Sequence, residues 1–336
     1  MAPLAATPPD GPRGVSLLAA IAADPDSDAP RLVYADALLE QADPRGEFIS
    51  VQCQAARLPE GDARRSELEL RATQLLEAHR AAWSPLGLDW QLERGFPSAL
   101  QVHVSALRRH EAALEAVPTL RDLEVRFTSA APADVEGLLS LPLLRRMRAL
   151  RFNWHTPHQL ALDLLLEAWV ASLDLLQFSW VMLPPRVWQV LGRVESPARH
   201  VPRLDLMLAD ARDESVQLLD PAPWPALRWL RLSNGQLGTR GCEVLAQAGL
   251  FPALEYLDAS WNRIGKQGAA LLARSPLIHQ LRGLNLSHCQ VGDEGCEALA
   301  AAQPRALRWL WLEHSRVTAK GLEALRQALP DLRVTT

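Results

Sequence analysis

Lysine is almost missing from this chain of 336 residues, where Lys266 and Lys320 stand against 33 arginines. With abundant Ala, Leu and Pro, that bias fits a GC-rich bacterial genome. A large charge of either sign is also missing. The net charge of −4 provides no broad basic field of the kind phosphate backbones require, so nucleic acid is not the expected partner. Residues 1–95 carry 15 acidic against 9 basic side chains, so only the front is distinctly acidic. The four cysteines, Cys53, Cys242, Cys289 and Cys296, show neither C-x-x-C spacing nor a disulfide framework, which excludes a zinc ribbon and predicts buried, reduced thiols. No uncharged run approaches the roughly 20 residues that cross a bilayer, and the start lacks a basic segment followed by an apolar one, so the expected location is cytoplasmic. A P-loop, a G-x-S-x-G elbow and a G-x-G-x-x-G turn are all absent, so no enzyme chemistry, cofactor or small-molecule substrate is expected.

What is present is a period. Leucine recurs at Leu100, Leu123, Leu150, Leu176, Leu204, Leu230, Leu257, Leu284 and Leu310, in steps of 23 to 28 residues. Later copies share the form LxxLxL, as in Leu227-Arg-Trp-Leu230-Arg-Leu232 and Leu307-Arg-Trp-Leu310-Trp-Leu312. Each continues into Gly-x-x-x-Leu, with Gly241, Gly268, Gly295 and Gly321 in register. A unit of this size buries its apolar edge only by stacking on its neighbours, which predicts an α/β leucine-rich-repeat solenoid with a parallel sheet on its concave face and helices on the other. Helices are expected near 106–117, 133–140, 158–170, 186–194, 213–219, 239–248, 266–274, 293–302 and 319–328. Residues 97–206 depart from the consensus, with Phe152 and Phe178 in the third leucine slot. Nine strands plus a terminal one from Leu329 to Val334 complete the expected array over 95–336.

The front reads differently. Residues 1–15 are expected to be disordered. Ser16 suits the cap of an apolar helix through Ala23, and the Asp24-Pro25-Asp26-Ser27-Asp28 turn suits a second helix start near Asp28. In that second helix Leu32, Ala35, Leu38 and Leu39 share one face. Asp43-Pro44-Arg45-Gly46 is read as its break, followed by helices from about Glu47 to Leu58 and Ala63 to Trp83, the last with Glu67 and Arg71 as an i,i+4 pair. Residues 16–94 are thus expected to form a helical domain. The run from Leu18 to Leu38, with Asp24-Pro25-Asp26, Pro30-Arg31-Leu32 and Tyr34-Ala35-Asp36, together with Asp43-Pro44-Arg45-Gly46-Glu47-Phe48-Ile49, resembles the bacterial repeat-companion domain. The Arg94-Gly95-Phe96 tripeptide that opens the array matches the same arrangement. From there the chain is similar to leucine-rich repeats of the ribonuclease-inhibitor type. The resemblance implies an interaction scaffold and brings no catalytic residues.

Between and just after the leucine slots the side chains should face outward along the sheet. Three columns result. One holds Trp229, Tyr256, Gly283 and Trp309; a second Arg231, Asp258, Asn285 and Trp311; a third Phe127, Trp154, Trp180, Leu208, Asn234, Trp261, His288 and His314. Exposed tryptophan and arginine are the residue types of binding hot spots. The expected site is therefore protein-binding and comprises Trp229, Arg231, Tyr256, Asp258, Trp261, Asn285, His288, Trp309, Trp311 and His314. The alternative is that the rings only stack on one another along the sheet. The expected function is a non-catalytic scaffold for a protein partner. A regulator or inhibitor of an enzyme or small GTPase, including toxin neutralisation, would use the same face, with Arg231 able to supply charge to a transition state.

Other constellations read as structural. His288 and His314 with Glu313 or Asp258 resemble a metal ligand set in residue type only, without motif spacing. Asp24, Asp26 and Asp28 lack the glycine and glutamate of a calcium loop and suit helix capping. Asp36, Arg45 and Glu47, with Arg31, are expected to form an ion-pair network inside the helical bundle.

Overall fold

The computed structural model describes residues 12–127, 135–153, 156–219 and 222–336. The chain divides into two compact units, Met1–Val125 with Ser140–Met147, and Arg126–Leu139 with Arg148–Thr336. No helix among the described residues is long and apolar enough to cross a membrane. The expectation of disorder over residues 1–15 falls largely outside the described residues.

Four helices open the first unit: α1 (Pro12–Ala23), α2 (Ala29–Glu40), α3 (Pro44–Ala56) and α4 (Ala63–Trp83). Ser16 lies inside α1 rather than capping it. Asp43-Pro44 starts α3 instead of ending α2: the Asp43 carboxylate accepts from the Arg45 backbone N–H at 2.8 Å, and Pro44 takes the first position, where its missing N–H has no bond to lose. Asp28 stands at the N-terminus of α2 without capping it; its carboxylate meets Arg57 at 2.9 Å and Arg94 at 3.3 Å. Ala35 and Leu38 are buried but Leu39 is 47% exposed, because the apolar face of α2 is narrower than the sequence pattern indicated. Arg71 pairs with Glu47 on α3, at 2.7 Å, rather than with Glu67, while Arg65 and Glu69 make the i,i+4 pair on α4. The expected network of Asp36, Arg45 and Glu47 is not formed. Asp36 is exposed, and Arg45 donates to the Gly95 carbonyl.

A strand missed by the helical reading follows. β1 (Asp89–Glu93) pairs antiparallel with β2 (Phe96–His103) through a turn at Arg94 and Gly95, with φ of 48° and 84°. Only glycine fits the second of these, since a Cβ on Gly95 would come within 2.0 Å of the Ile49 side chain. β3 (Asp122–Arg126) follows in the same sheet. Phe96 closes a core of Ile21, Tyr34, Ala35, Leu38, Ile49 and Cys53. Phe48, Val51, Ala72, Leu75 and Trp83 make a second one between α3 and α4.

The second unit holds eight parallel strands in chain order: β4 (Ala149–Asn153), β5 (Leu175–Ser179), β6 (Arg203–Asp205), β7 (Trp229–Arg231), β8 (Tyr256–Asp258), β9 (Gly283–Asn285), β10 (Trp309–Trp311) and β11 (Arg333–Thr335). Leu150, Leu176, Leu204, Leu230, Leu257, Leu284 and Leu310 are direct cross-strand partners, ending on Val334, and every leucine of the series is buried. The repeat helices are shorter than expected in the irregular part: His158–Leu164 continues as a 3-10 turn at Ala168–Ser172, and Pro185–Leu191 and Asp213–Gln217 follow. In the regular part Thr239–Leu245, Gly265–Arg274, Gly292–Ala302 and Ala319–Ala328 bury Leu245, Leu272, Leu299 and Leu325.

Asn262 stitches two regular repeats. Its Oδ1 accepts from Gly235 N and Leu237 N at 3.0 and 2.8 Å, and its Nδ2 donates to the Leu232 and Ala259 carbonyls at 2.9 Å each. Cys289 fills the same slot one repeat later and donates to the Ala259 carbonyl at 3.1 Å. All four cysteines are buried. Burial pushes the Cys53 thiol up to about 11 and the thiols of Cys242, Cys289 and Cys296 up to about 12, where they are inert.

Candidate binding face

Three-residue strands present their first and third side chains away from the leucine core, because consecutive side chains alternate across a sheet. The first-position row runs Arg203, Trp229, Tyr256, Gly283, Trp309 and Arg333; the third-position row runs Asp205, Arg231, Asp258, Asn285, Trp311 and Thr335. Trp229, Arg231, Tyr256, Asp258, Asn285, Trp309 and Trp311 are all partly exposed. The structure therefore brings these seven residues onto one surface of four adjacent strands.

Their geometry is ordered by neighbours. The guanidinium carbons of Arg203 and Arg231 lie 5.4 and 5.7 Å from the Trp229 ring, within cation–π range. Arg231 Nε donates to Asp258 at 3.0 Å and its Nη1 to Asp205 at 3.4 Å. Asp258 also accepts the Ser260 amide and hydroxyl, at 3.0 and 2.6 Å. Asp205 is buried, and burial pushes its carboxyl above the usual range against the pull of Arg231. An arginine held by two carboxylates on its own sheet is poorly placed to swing into a partner's reacting centre.

Tyr256 and Trp309 sit two strands apart, yet their ring centroids are 6.3 Å apart at an interplanar angle of 29°. They lean over Gly283 on the strand between. A Cβ there would come within 2.6 Å of the Tyr256 ring and 3.3 Å of Trp311, so the glycine makes room for the aromatic cluster. Sequence reasoning placed Gly283 in the column without seeing this role; a glycine flanked in register by Tyr256 and Trp309 was the available signal.

The third column is different. Trp180, Leu208, Asn234, Trp261, His288 and His314 lie beyond the strand ends in turns, with φ between 52° and 61°. Trp261 is 57% exposed and Trp180 49%, but Phe127 is buried, so this column does not present one continuous face. Trp154 lies outside the described residues. Trp261 stacks on His288 at 3.6 Å, and His288 meets His314 at 4.6 Å. The carboxylates considered as third metal ligands are engaged elsewhere: Glu313 accepts from the Ser287 hydroxyl, and Asp258 holds Arg231. Among the described residues no group of three His, Cys, Asp or Glu is placed to hold a metal ion. Of the remaining tryptophans, Trp83, Trp90, Trp188 and Trp224 are core residues and Trp169 is half-buried.

The strand-and-helix repeat with its leucine register defines an α/β leucine-rich-repeat solenoid preceded by a helical region. Residues 279–300 match a family model described as Leucine Rich repeat. No curated protein matches the chain. Among solved structures the chain is similar to a Bacteroides fragilis protein, with 13% identity, a TM-score of 0.46 and coverage of 81% of this chain and 84% of that one. It is also similar to a chain of the yeast Rad7 and Elc1 complex, at 16% identity and a TM-score of 0.45, covering 70% and 68% of the two chains. Likenesses at this level carry no functional argument.

Proposed function

We propose that this protein is a non-catalytic scaffold that binds a protein partner on the sheet face formed by β7 to β10. The observation that carries the reading is the cluster of Tyr256, Trp309 and Trp311 around Gly283, with Trp229 beside Tyr256 on the next strand, partly exposed and bordered by Arg231, Asp258 and Asn285. Large rings fixed by cross-strand neighbours lose little conformational freedom on binding, and tryptophan, tyrosine and arginine are the residues that most often dominate interface energetics. Trp261, His288 and His314 would extend the contact at the strand ends. We read the protein as cytoplasmic and bacterial, with no cofactor, nucleic acid or membrane surface among its partners. Regulation or inhibition of a partner enzyme would use the same face and differ only in whether the partner's activity changes.

The front helices are read here as a repeat-companion module over residues 16–94 that covers the start of an array over residues 95–336. A soluble, folded fragment 95–336 would oppose that role, since an uncovered array end exposes core.

Affinity capture tests the binding face. Wild type and the double variant Trp309→Ala/Trp311→Ala, both checked for folding by circular dichroism, are compared for captured proteins. A partner held by wild type and reduced at least about tenfold by the variant is expected from losing two hot-spot rings. Equal capture by a folded variant removes the assignment.

A further inference from the structure

The first compact unit contains a cleft of about 290 Å³, lined by none of the residues of the β7 to β10 face. Its wall is built from Leu18 and Ala22 of α1, Phe96 and Pro97 at the start of β2, and Val117 and Pro118. That volume is just under the roughly 300–1,000 Å³ of small-molecule pockets, so an occupant has to be small. The lining is apolar apart from Arg45 and Thr119.

Those two polar residues are not equivalent. The Thr119 hydroxyl donates to the Pro97 carbonyl at 2.7 Å, which satisfies it. Arg45 is 5% exposed, and its Nε and Nη2 both donate to a single acceptor, the Gly95 carbonyl, at 3.3 and 3.0 Å. Among the described residues its Nη1 has no hydrogen-bond partner and no carboxylate forms an ion pair with it. The neighbouring Asp43 carboxylate accepts the Arg45 backbone N–H instead.

The nearest carboxylates, Asp43 for Arg45 and Glu93 and Asp28 for Arg31, act on these guanidiniums only through charge and make no ion-pair contact with them. Arg45 lies 5.5 Å from the centre of the Phe96 ring, and a second buried arginine, Arg31, lies 5.6 Å from the same ring. Arg31 donates to the Ser27 carbonyl at 2.8 Å, and its Nε is buried without a partner. Two buried cations thus share one aromatic ring, and no carboxylate among the described residues makes an ion-pair contact with either. Charge taken out of water is costly unless it is paired, and an arginine stays ionised at any physiological pH. Burial accordingly pulls the Arg45 guanidinium below its ordinary pKa.

We propose that this cleft binds a medium-chain carboxylic acid, with the alkyl tail against Leu18, Ala22, Phe96 and Val117 and the carboxylate on Nη1 of Arg45. The apolar wall supplies burial of the tail. The unpartnered nitrogen offers a carboxylate an ion pair as well as a hydrogen bond, whereas an alcohol accepts only the weaker hydrogen bond.

Isothermal titration of the full chain with octanoate, 1-octanol and the peptide N-acetyl-Ala-Leu-Leu tests this. Octanoate is expected to saturate one site and to bind at least about tenfold more tightly than 1-octanol. Arg45→Met should abolish that preference. Because Arg45 also holds the Gly95 turn, a second variant keeps the test independent of folding: Ala19→Trp fills the cleft from its exposed rim and leaves Arg45 intact. It should weaken octanoate and 1-octanol alike. Absence of saturable octanoate binding, equal affinity for acid and alcohol, unchanged octanoate affinity in Ala19→Trp, or a peptide that binds more tightly than octanoate would each overturn the proposal.

Discussion

The irregular repeats around β4 and β5 and the regular ones from β7 to β10 solve one packing problem in two ways. In the regular repeats the strands are three residues long, the leucines carry the core, and the turn after each strand is held by a polar or thiol side chain at Asn262, Cys289 or Ser315. In the irregular repeats the strands are five residues long and the third slot holds an aromatic ring. Phe152 stacks on Phe178 at 5.7 Å and on Phe127 at 6.3 Å, forming a buried ladder. The helix starts differ as well. The helices at His158 and Pro185 begin beside a proline, whereas at two of the four regular-repeat helices, those starting at Thr239 and Ala319, a carboxylate from the preceding repeat caps the helix start. Asp213 accepts Gly238 N and Gly241 N at 2.6 and 2.9 Å, and Asp293 accepts Thr318 N at 2.8 Å. Stacking therefore depends on register and on filled volume, and the consensus residues are one of two available fillings.

The contrast can be broken most severely at Phe152. Replacement by alanine removes a ring with no exposure from the middle of the ladder, and a loss of about 3–5 kcal/mol is expected from transfer and cavity terms together. Urea unfolding measures it. A loss below about 1 kcal/mol would mean that the neighbouring repeats collapse into the space and that the ladder is not what holds this region.

Asn262 tests the other filling. Asn262→Ala leaves the Gly235 and Leu237 amides and the Leu232 carbonyl without this buried partner, which should cost about 3 kcal/mol. Asn262→Cys should cost less, because Cys289 serves the same slot in the next repeat. If the two variants are equally destabilised in urea, the slot requires the full amide and the equivalence fails.

The smallest effect concerns the cap at Asp293, whose carboxyl is held below the usual carboxylate range chiefly by the Thr318 hydroxyl and then by its amide. A carboxylate lowered in the folded state stabilises above the unfolded value of about 3.9 and loses that contribution as pH falls toward the lowered folded value. Asp293→Asn should therefore melt below wild type at pH 7, and the gap should close on acidification below about pH 4. A gap that is constant with pH would mean that the hydrogen bonds matter and the charge does not.

Much of the array was legible because stacking forces periodicity onto the chain. The leucines from Leu150 to Leu310 pair directly in the sheet, and the late helices fall within a residue or a few of their expected limits. The front was less legible, for local reasons. Asp43-Pro44 has the composition of a helix break and the geometry of a helix start, and Asp89–Glu93 alternates polar and apolar residues over only five positions and is held as a strand by pairing with β2. The columns of the sheet face could be written down residue by residue. Which members share a surface could not, since Phe127 turns into the core at a position where Trp180 and Trp261 are exposed.

The sequence by itself determined the repeat, its register, the inward leucines and the polar or aromatic outward rows, because these follow from a period that every copy repeats. Only the tertiary structure decided that Gly283 lets Tyr256 and Trp309 meet, that Arg231 is held between Asp205 and Asp258, and that Arg45 turns to Gly95 rather than to Asp36 or Glu47. The physical reason is the same in each case: these contacts join residues 26 to 53 positions apart, and their distances depend on how neighbouring elements pack, which no local spacing encodes.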